Sequence, residues 1–326
     1  MYKRQALNRV PQEIPPIWFM RQAGRYHDHY QNLKKSHSFV ELCKNPALSA
    51  QTALGPIEEF DFDVAILFSD ILFPLESLGM DLIYDPGPIF KEHLTEKNAS
   101  RIFINRNPIS SLEFQGEAIE KTMELLPDDK SMIGFIGGPW TLLSFASAKN
   151  KSDKIGKIES YQWEILEEYI YPLLHQNISL QLQAGAELVM IFDSCAHQLV
   201  KDDLSVYLNK ILSKLVKSFP NQVGYYAKDG ISYDDIFAAS DSFEVPFADD
   251  TSQKEPSPLL KIMLLELKKK GASPKVNEEV KRVERKVAVV VTFLDGGTQD
   301  TEKKDRTIQK VLVGTILVLV LAGSCC

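Results

Sequence analysis

Four stretches of this chain carry side chains whose types and spacing can do chemistry, and each follows a short apolar run. In PPIWFMRQAGRYHDHY (15–30), Arg21 and Arg25 flank a small Gln22-Ala23-Gly24 turn. Two guanidiniums offer forked donors for carboxylates or phosphates, and Ala23 and Gly24 let backbone approach a ligand closely. The same pair reads as easily as two surface arginines on a loop. In ILFSDILFPLESLGM (66–80), Asp70 sits among apolar neighbours, so its charge needs a cationic or N–H partner. Capping of the following helix is the competing reading. GFIGGPWTLLSFA (134–146) has a Gly137-Gly138-Pro139 turn that opens a helix and carries Trp140 and Phe145 toward the same mouth. It reads otherwise as ordinary strand–turn–helix packing. IFDSCAHQL (191–199) sets Asp193, Ser194, Cys195 and His197 just after a strand.

These stretches need a frame that gathers strand ends. The apolar runs 14–19, 63–68, 131–136, 187–192 and 222–227 are too short and too continuously apolar for surface helices, and read as buried strands. Helical spacing of apolar residues covers 41–60, 116–126, 158–183 and 201–218. Strands separated by crossover helices imply a parallel sheet covered by helices. Polar residues just after successive strands are the sequence signature of a barrel mouth. An open doubly wound sheet shows the same alternation.

Composition bounds the rest. The chain has 326 residues, 44% of them hydrophobic and 25% charged, with net charge −7, enough to bury a full core. The acidic balance argues against a general nucleic-acid binder, which needs a basic footprint. MYKRQALNRVPQE has no apolar run, so no signal peptide is expected. Cys43, Cys195, Cys325 and Cys326 lack any CxxC spacing and read as reduced thiols of a cytoplasmic protein. The chain is not uniform: all 3 Trp and 11 Tyr lie at or before Tyr233, and residues 249–326 hold 14 Lys+Arg against 11 Asp+Glu. A body (1–248) is thus expected to be joined to an atypical Lys-rich tail (249–326).

PPIWFMRQAGRY and GFIGGPWTL resemble the two signature stretches of the uroporphyrinogen decarboxylase family, and LFSDIL…LGM resembles a third block. Order and spacing match from about Arg9 to about Val245. The resemblance implies a TIM (β/α)8-type barrel, usually a homodimer, that removes the four acetate carboxyl groups of uroporphyrinogen to give coproporphyrinogen without a metal or organic cofactor. It implies that Asp70 stabilises a protonated pyrrole ring, that Arg21 and Arg25 hold substrate carboxylates, and that one of them helps deliver the proton. By the same resemblance, Gln22, Ala23 and Gly24 line the pocket and Ser194 touches a substrate side chain.

Two departures stand out. Phe145 occupies the position of a family tyrosine, keeping the ring and losing the hydroxyl. The family's late NLGHG-like turn is absent, and no histidine follows His197. In its place come PSPLLKIMLLELKKKG, a charge run (275–286), a strand-like KVAVVVTFL (286–294) and the closing VLVGTILVLVLAGSCC. The last run has about fourteen apolar or small residues, short of the roughly twenty that span a bilayer, so a packed strand or helix is expected over membrane contact. Five strands in the body and two in the tail are expected, with 286–294 and 311–322 covering part of an exposed sheet face. A chain so altered is expected to bind tetrapyrrole carboxylates better than it decarboxylates them, and to be prone to aggregate. The rival functions are a catalytically impaired tetrapyrrole-binding remnant and a corrinoid-type methyltransferase on the same fold, which would need a zinc site with thiolate and imidazole ligands.

Overall fold

The computed structural model describes residues 17–19, 22–103, 105–147 and 157–227, with the strand segments 289–290, 292–293 and 317–319. In chain order, β1 (Ile17–Phe19) is followed by α1 (Asp28–Lys34), α2 (Phe39–Lys44) and α3 (Pro46–Phe60). Next come β2 (Val64–Ile66), α4 (Phe73–Leu78), the hairpin of β3 (Leu82–Tyr84) and β4 (Pro88–Phe90), α5 (Ala99–Ile102) and α6 (Glu113–Leu125). β5 (Ser131–Gly137) leads into α7 (Pro139–Ser147), α8 (Ser160–Ile165) and α9 (Tyr171–Gln183). β6 (Leu188–Asp193) leads into α10 (Lys201–Tyr207), α11 (Ser213–Lys217) and β7 (Val223–Ala227).

β2, β5, β6 and β7 pair in that order, all parallel, with Ile133 opposite Ile66 on one side and Leu188 on the other. Every residue of β5 and β6 is buried, which is why these runs show no polar alternation in the sequence. The core between sheet and helices holds Trp140, Leu142, Leu143, Leu174, Ile191, Tyr207 and Leu212, each 0% exposed. Each such side chain contributes about 1.5–3 kcal/mol relative to exposure.

The helical reading 41–60 needs correction: it is two helices, divided at Asn45. The Asn45 side chain accepts the N–H groups of Ala47 and Leu48, and Pro46 occupies the first helical turn, where its missing N–H costs nothing. The reading 158–183 is also interrupted, by a widened turn at Leu166–Ile170 just before Pro172. Pro172 cannot donate to the carbonyl four residues back, and a wider turn absorbs that loss. The β3–β4 hairpin was not legible as strands.

Both tail strands expected from the sequence fall partly on described residues. β8 (Val289–Val290) pairs antiparallel with β10 (Leu317–Leu319), and β9 (Thr292–Phe293) pairs antiparallel with β7. β10 runs parallel to β1, which lies alongside β2. β8 and β9 therefore join the two sheets, one strand to each, antiparallel to their partners β10 and β7. The rest of the tail, including PSPLLKIMLLELKKKG and the Cys325-Cys326 end, lies outside the described residues. Among the described residues no helix is long and apolar enough to cross a membrane.

Candidate active site

Parallel strands end on one side of the sheet, so the loops after β2, β5 and β6 converge. One side-chain bond brings the turn after β1 to that sheet, and two close approaches make the convergence concrete. Gln22, 2% exposed, donates from Nε2 to the Val64 carbonyl at 3.0 Å and so ties the turn after β1 to the start of β2. A Cβ on Gly137 would meet the Ile71 carbonyl at 2.9 Å, so the residue after Asp70 lies against the end of β5. A Cβ on Gly138 would overlap the carboxylate of Asp193, so the next residue lies against the end of β6. Glycine at 137 and 138 is required by proximity.

The turn around Asp70 is pinned along its length. Leu67 N–H reaches the Ile133 carbonyl at 3.0 Å, Ser49 Oγ donates to the Phe68 carbonyl at 2.9 Å, and Gln115 Nε2 donates to Ser69 Oγ at 3.0 Å. Gln115 is held in turn by Gln181, whose Nε2 also donates to the Phe135 carbonyl of β5 at 2.9 Å. Asp70 is half-buried, and its Oδ1 accepts the Leu72 N–H at 2.8 Å. The capping reading does not hold, since the N-cap of α4 is Leu72 with no side-chain cap bond, and the Asp70 carboxylate instead closes a tight turn ahead of that helix. The carboxylate faces a poorly solvated wall. Burial, and then the charge of Asp70, push the Cys43 thiol and the Tyr84 phenol well above their ordinary ranges. Neither Cys43 nor Tyr84 had been singled out near Asp70, because a hairpin and a preceding helix bring them there.

In the first stretch, Gly24 and His27 close a turn through a 2.9 Å backbone bond, and Tyr26 donates its hydroxyl to the Gln22 carbonyl. Ala23 and Gly24 are half-buried, and Arg25 is exposed, its carbonyl accepting Gln31 Nε2 at 2.7 Å. Arg21 lies outside the described residues. His27, almost fully buried, sits 2.8 Å from Glu59 through Nε2, and burial lowers its basicity despite that partner. Phe145 is half-buried on α7 and packs against the core. Ser194 is half-buried after β6, and its carbonyl accepts His197 Nδ1–H at 2.8 Å. Burial raises the Cys195 thiol, with the Asp193 charge adding to it. Among the described residues no group of three His, Cys, Asp or Glu is placed to hold a metal ion.

The model of the family described as Uroporphyrinogen decarboxylase (URO-D) matches residues 4–241. The chain belongs to the uroporphyrinogen decarboxylase family. Its fold is accordingly the TIM-barrel type of α/β protein. A curated uroporphyrinogen decarboxylase from Orientia tsutsugamushi (strain Ikeda) is 40% identical over 223 residues, covering 66% of this chain and 64% of that protein. One from Helicobacter acinonychis (strain Sheeba) is 40% identical over 234 residues, covering 65% and 68%. One from Helicobacter pylori (strain G27) is 40% identical over 220 residues, covering 63% and 64%. The chain thus spans about two thirds of the length of the curated relatives it matches. Among solved structures, a methyltransferase from Methanosarcina mazei superposes with TM-score 0.58 at 17% identity, covering 73% of this chain and 72% of that one, a likeness of fold alone. Of the site residues expected from the sequence, Gln22, Ala23, Gly24, Arg25, Asp70, Phe145 and Ser194 lie among the described residues.

Proposed function

We propose that this chain is a carboxy-lyase that decarboxylates the acetate arms of uroporphyrinogen, in porphyrin biosynthesis. The observation that carries the reading is Asp70. It is the carboxylate of the family-like LFSDIL block, and it sits on a turn pinned from β5, α3 and α6. In the proposed reaction a pyrrole carbon takes up a proton and the ring becomes cationic. The bond to the acetate carboxyl then breaks, CO2 leaves, and its electron pair neutralises the ring. A proton added to the exposed methylene carbon completes a methyl group, and loss of the proton first taken up by the ring carbon restores the neutral pyrrole. Asp70 stabilises the cationic ring by facing its N–H groups, which needs a fixed charge in a poorly solvated site. Arg21 and Arg25 hold substrate carboxylates, one of them helping to deliver the proton. Gln22, Ala23 and Gly24 line the same pocket, and Phe145 and Ser194 lie against a substrate side chain. Neither a metal nor an organic cofactor takes part.

The homodimer and the cytoplasmic location belong to the same proposal, as does the division into a body (1–248) and a tail (249–326). Pairing of β9 with β7 and of β10 with β1 supports a tail that packs as part of the barrel. The second reading, a tetrapyrrole-binding remnant, is favoured by Phe145 and by the lack of any histidine after His197. Incubating the purified chain anaerobically with uroporphyrinogen, and following stepwise loss of carboxyl groups, separates the two. Sequential seven-, six-, five- and four-carboxylate products support the enzyme. Tight binding of uroporphyrin without product supports the remnant.

A further inference from the structure

Asp193 ends β6 and is 0% exposed, yet it carries a carboxylate. Four donors from three elements converge on it. Its Oδ1 accepts the backbone N–H of Thr141 at 2.9 Å and the Thr141 hydroxyl at 2.7 Å, both from α7. Its Oδ2 accepts the hydroxyl of Tyr207 at 2.5 Å, from α10, and that of Tyr225 at 3.2 Å, from β7. Tyr207 is fixed from its other side, since its oxygen accepts the Trp140 N–H at 3.2 Å. A buried carboxylate is tolerated only when so satisfied, and an apolar residue of similar size would serve stability as well.

The geometry around Thr141 gives the arrangement a second consequence. The Thr141 hydroxyl donates to Asp193 and accepts the N–H of Cys195 at 3.0 Å. Ser194 is thus bracketed, with the residues on both sides bound to one side chain of α7. Phe145 lies four residues beyond Thr141, on the same face of that helix. One network therefore fixes the serine after β6 and the aromatic ring of α7 relative to each other.

We infer that Asp193 is a positioning residue, which through Thr141 sets Ser194 and Phe145 against one side chain of the substrate. This rests on the decarboxylase reading for the identity of the substrate. Thr141→Val keeps shape and backbone N–H while deleting the hydroxyl that joins Asp193 to Cys195. Thr141→Ser keeps the hydroxyl. Asp193→Asn keeps the acceptor for Thr141 and changes what the two phenols meet. With uroporphyrinogen, kcat/KM is expected to fall tenfold or more in Thr141→Val and Asp193→Asn, with the loss mainly in kcat, and to return within threefold of wild type in Thr141→Ser. Wild-type kcat and KM in a folded Thr141→Val protein would overturn the inference. If the wild type itself turns nothing over, the decarboxylase reading fails separately. The positioning claim is then decided by hydrogen exchange, where the Cys195 amide should lose protection in Thr141→Val and keep it in Thr141→Ser. Equal protection in both variants would overturn it.

Discussion

Replacing Asp70 with Asn removes the charge proposed to stabilise the protonated ring and leaves the surrounding turn nearly intact. The asparagine carbonyl can still accept the Leu72 N–H that Oδ1 now takes at 2.8 Å. The other pins come from Leu67, Ser49 and Gln115 and do not involve the carboxylate. At Leu72 the cost is the difference between a charge-assisted and a neutral hydrogen bond, about 1 kcal/mol, and the Tyr84 phenol beside the carboxylate still has an amide group to pair with. That corresponds to a melting temperature lower by about 2–4 °C for a body of this size. The catalytic cost is of another order, since deleting one preorganised electrostatic group slows turnover by about 10²–10³-fold, or about 2.7–4 kcal/mol. Anaerobic single-turnover measurements with saturating uroporphyrinogen read the chemical step alone, and a thermal melt of the same sample reads the fold. A variant that melts within a few degrees of wild type and decarboxylates at a comparable rate would refute the assignment of Asp70. An asparagine variant that fails to fold would instead make the Leu72 contact its main role.

Arg21→Lys and Arg25→Lys each keep the charge and lose the forked donor, so titration with uroporphyrin should show affinity lower by about tenfold. Unchanged affinity and turnover in both would return these arginines to the surface-loop reading. Phe145→Tyr restores a hydroxyl on α7 and should raise kcat, while a family-like ending grafted after Gly230 should raise it further; equal rates for all three proteins would dismiss both departures as causes of weak activity. Stability should also depend on pH through Asp193, whose carboxyl burial pushes up, only partly offset by Tyr207, Thr141 and Tyr225. A raised folded-state pKa stabilises fully below the unfolded value near 4 and is lost as pH rises through the folded one. Of the neighbours facing it, Tyr207 and Cys195 are themselves pushed up by burial and stay protonated across that window. Urea melts from pH 3 to 7 should therefore show wild type losing stability relative to Asp193→Asn as pH rises, and parallel curves would contradict it. His27 works in the opposite sense, since burial lowers it and its share of stability is lost as pH falls below about 6.5, so the variant comparison is needed to isolate Asp193.

The sequence by itself determined where β2, β5, β6 and β7 lie and that they run parallel, because strands buried on both faces need continuous apolar runs and crossover helices between them. It also placed the chain in its family, since MRQAGR, LFSDIL and GFIGGPWTL are local strings whose chemistry and order need no partner to be read. Its readings of 286–294 and 311–322 contain the described strands β8, β9 and β10. Tertiary structure alone decided the rest. The antiparallel sense of β8 and β9 depends on which edges they meet, β10 for the first and β7 for the second. The division of 41–60 turned on one capping asparagine followed by proline, a detail that apolar periodicity does not register. Asp193 is visible in the sequence only as one of four polar residues after an apolar run. Its partners lie 14, 32 and 52 residues away, at Tyr207, Tyr225 and Thr141. Gln115 likewise reaches Ser69 across 46 residues, to pin the turn that carries Asp70. Periodicity reports which face of an element is buried. Hydrogen bonds between side chains far apart in the chain depend on how those elements dock, and only the folded arrangement supplies that.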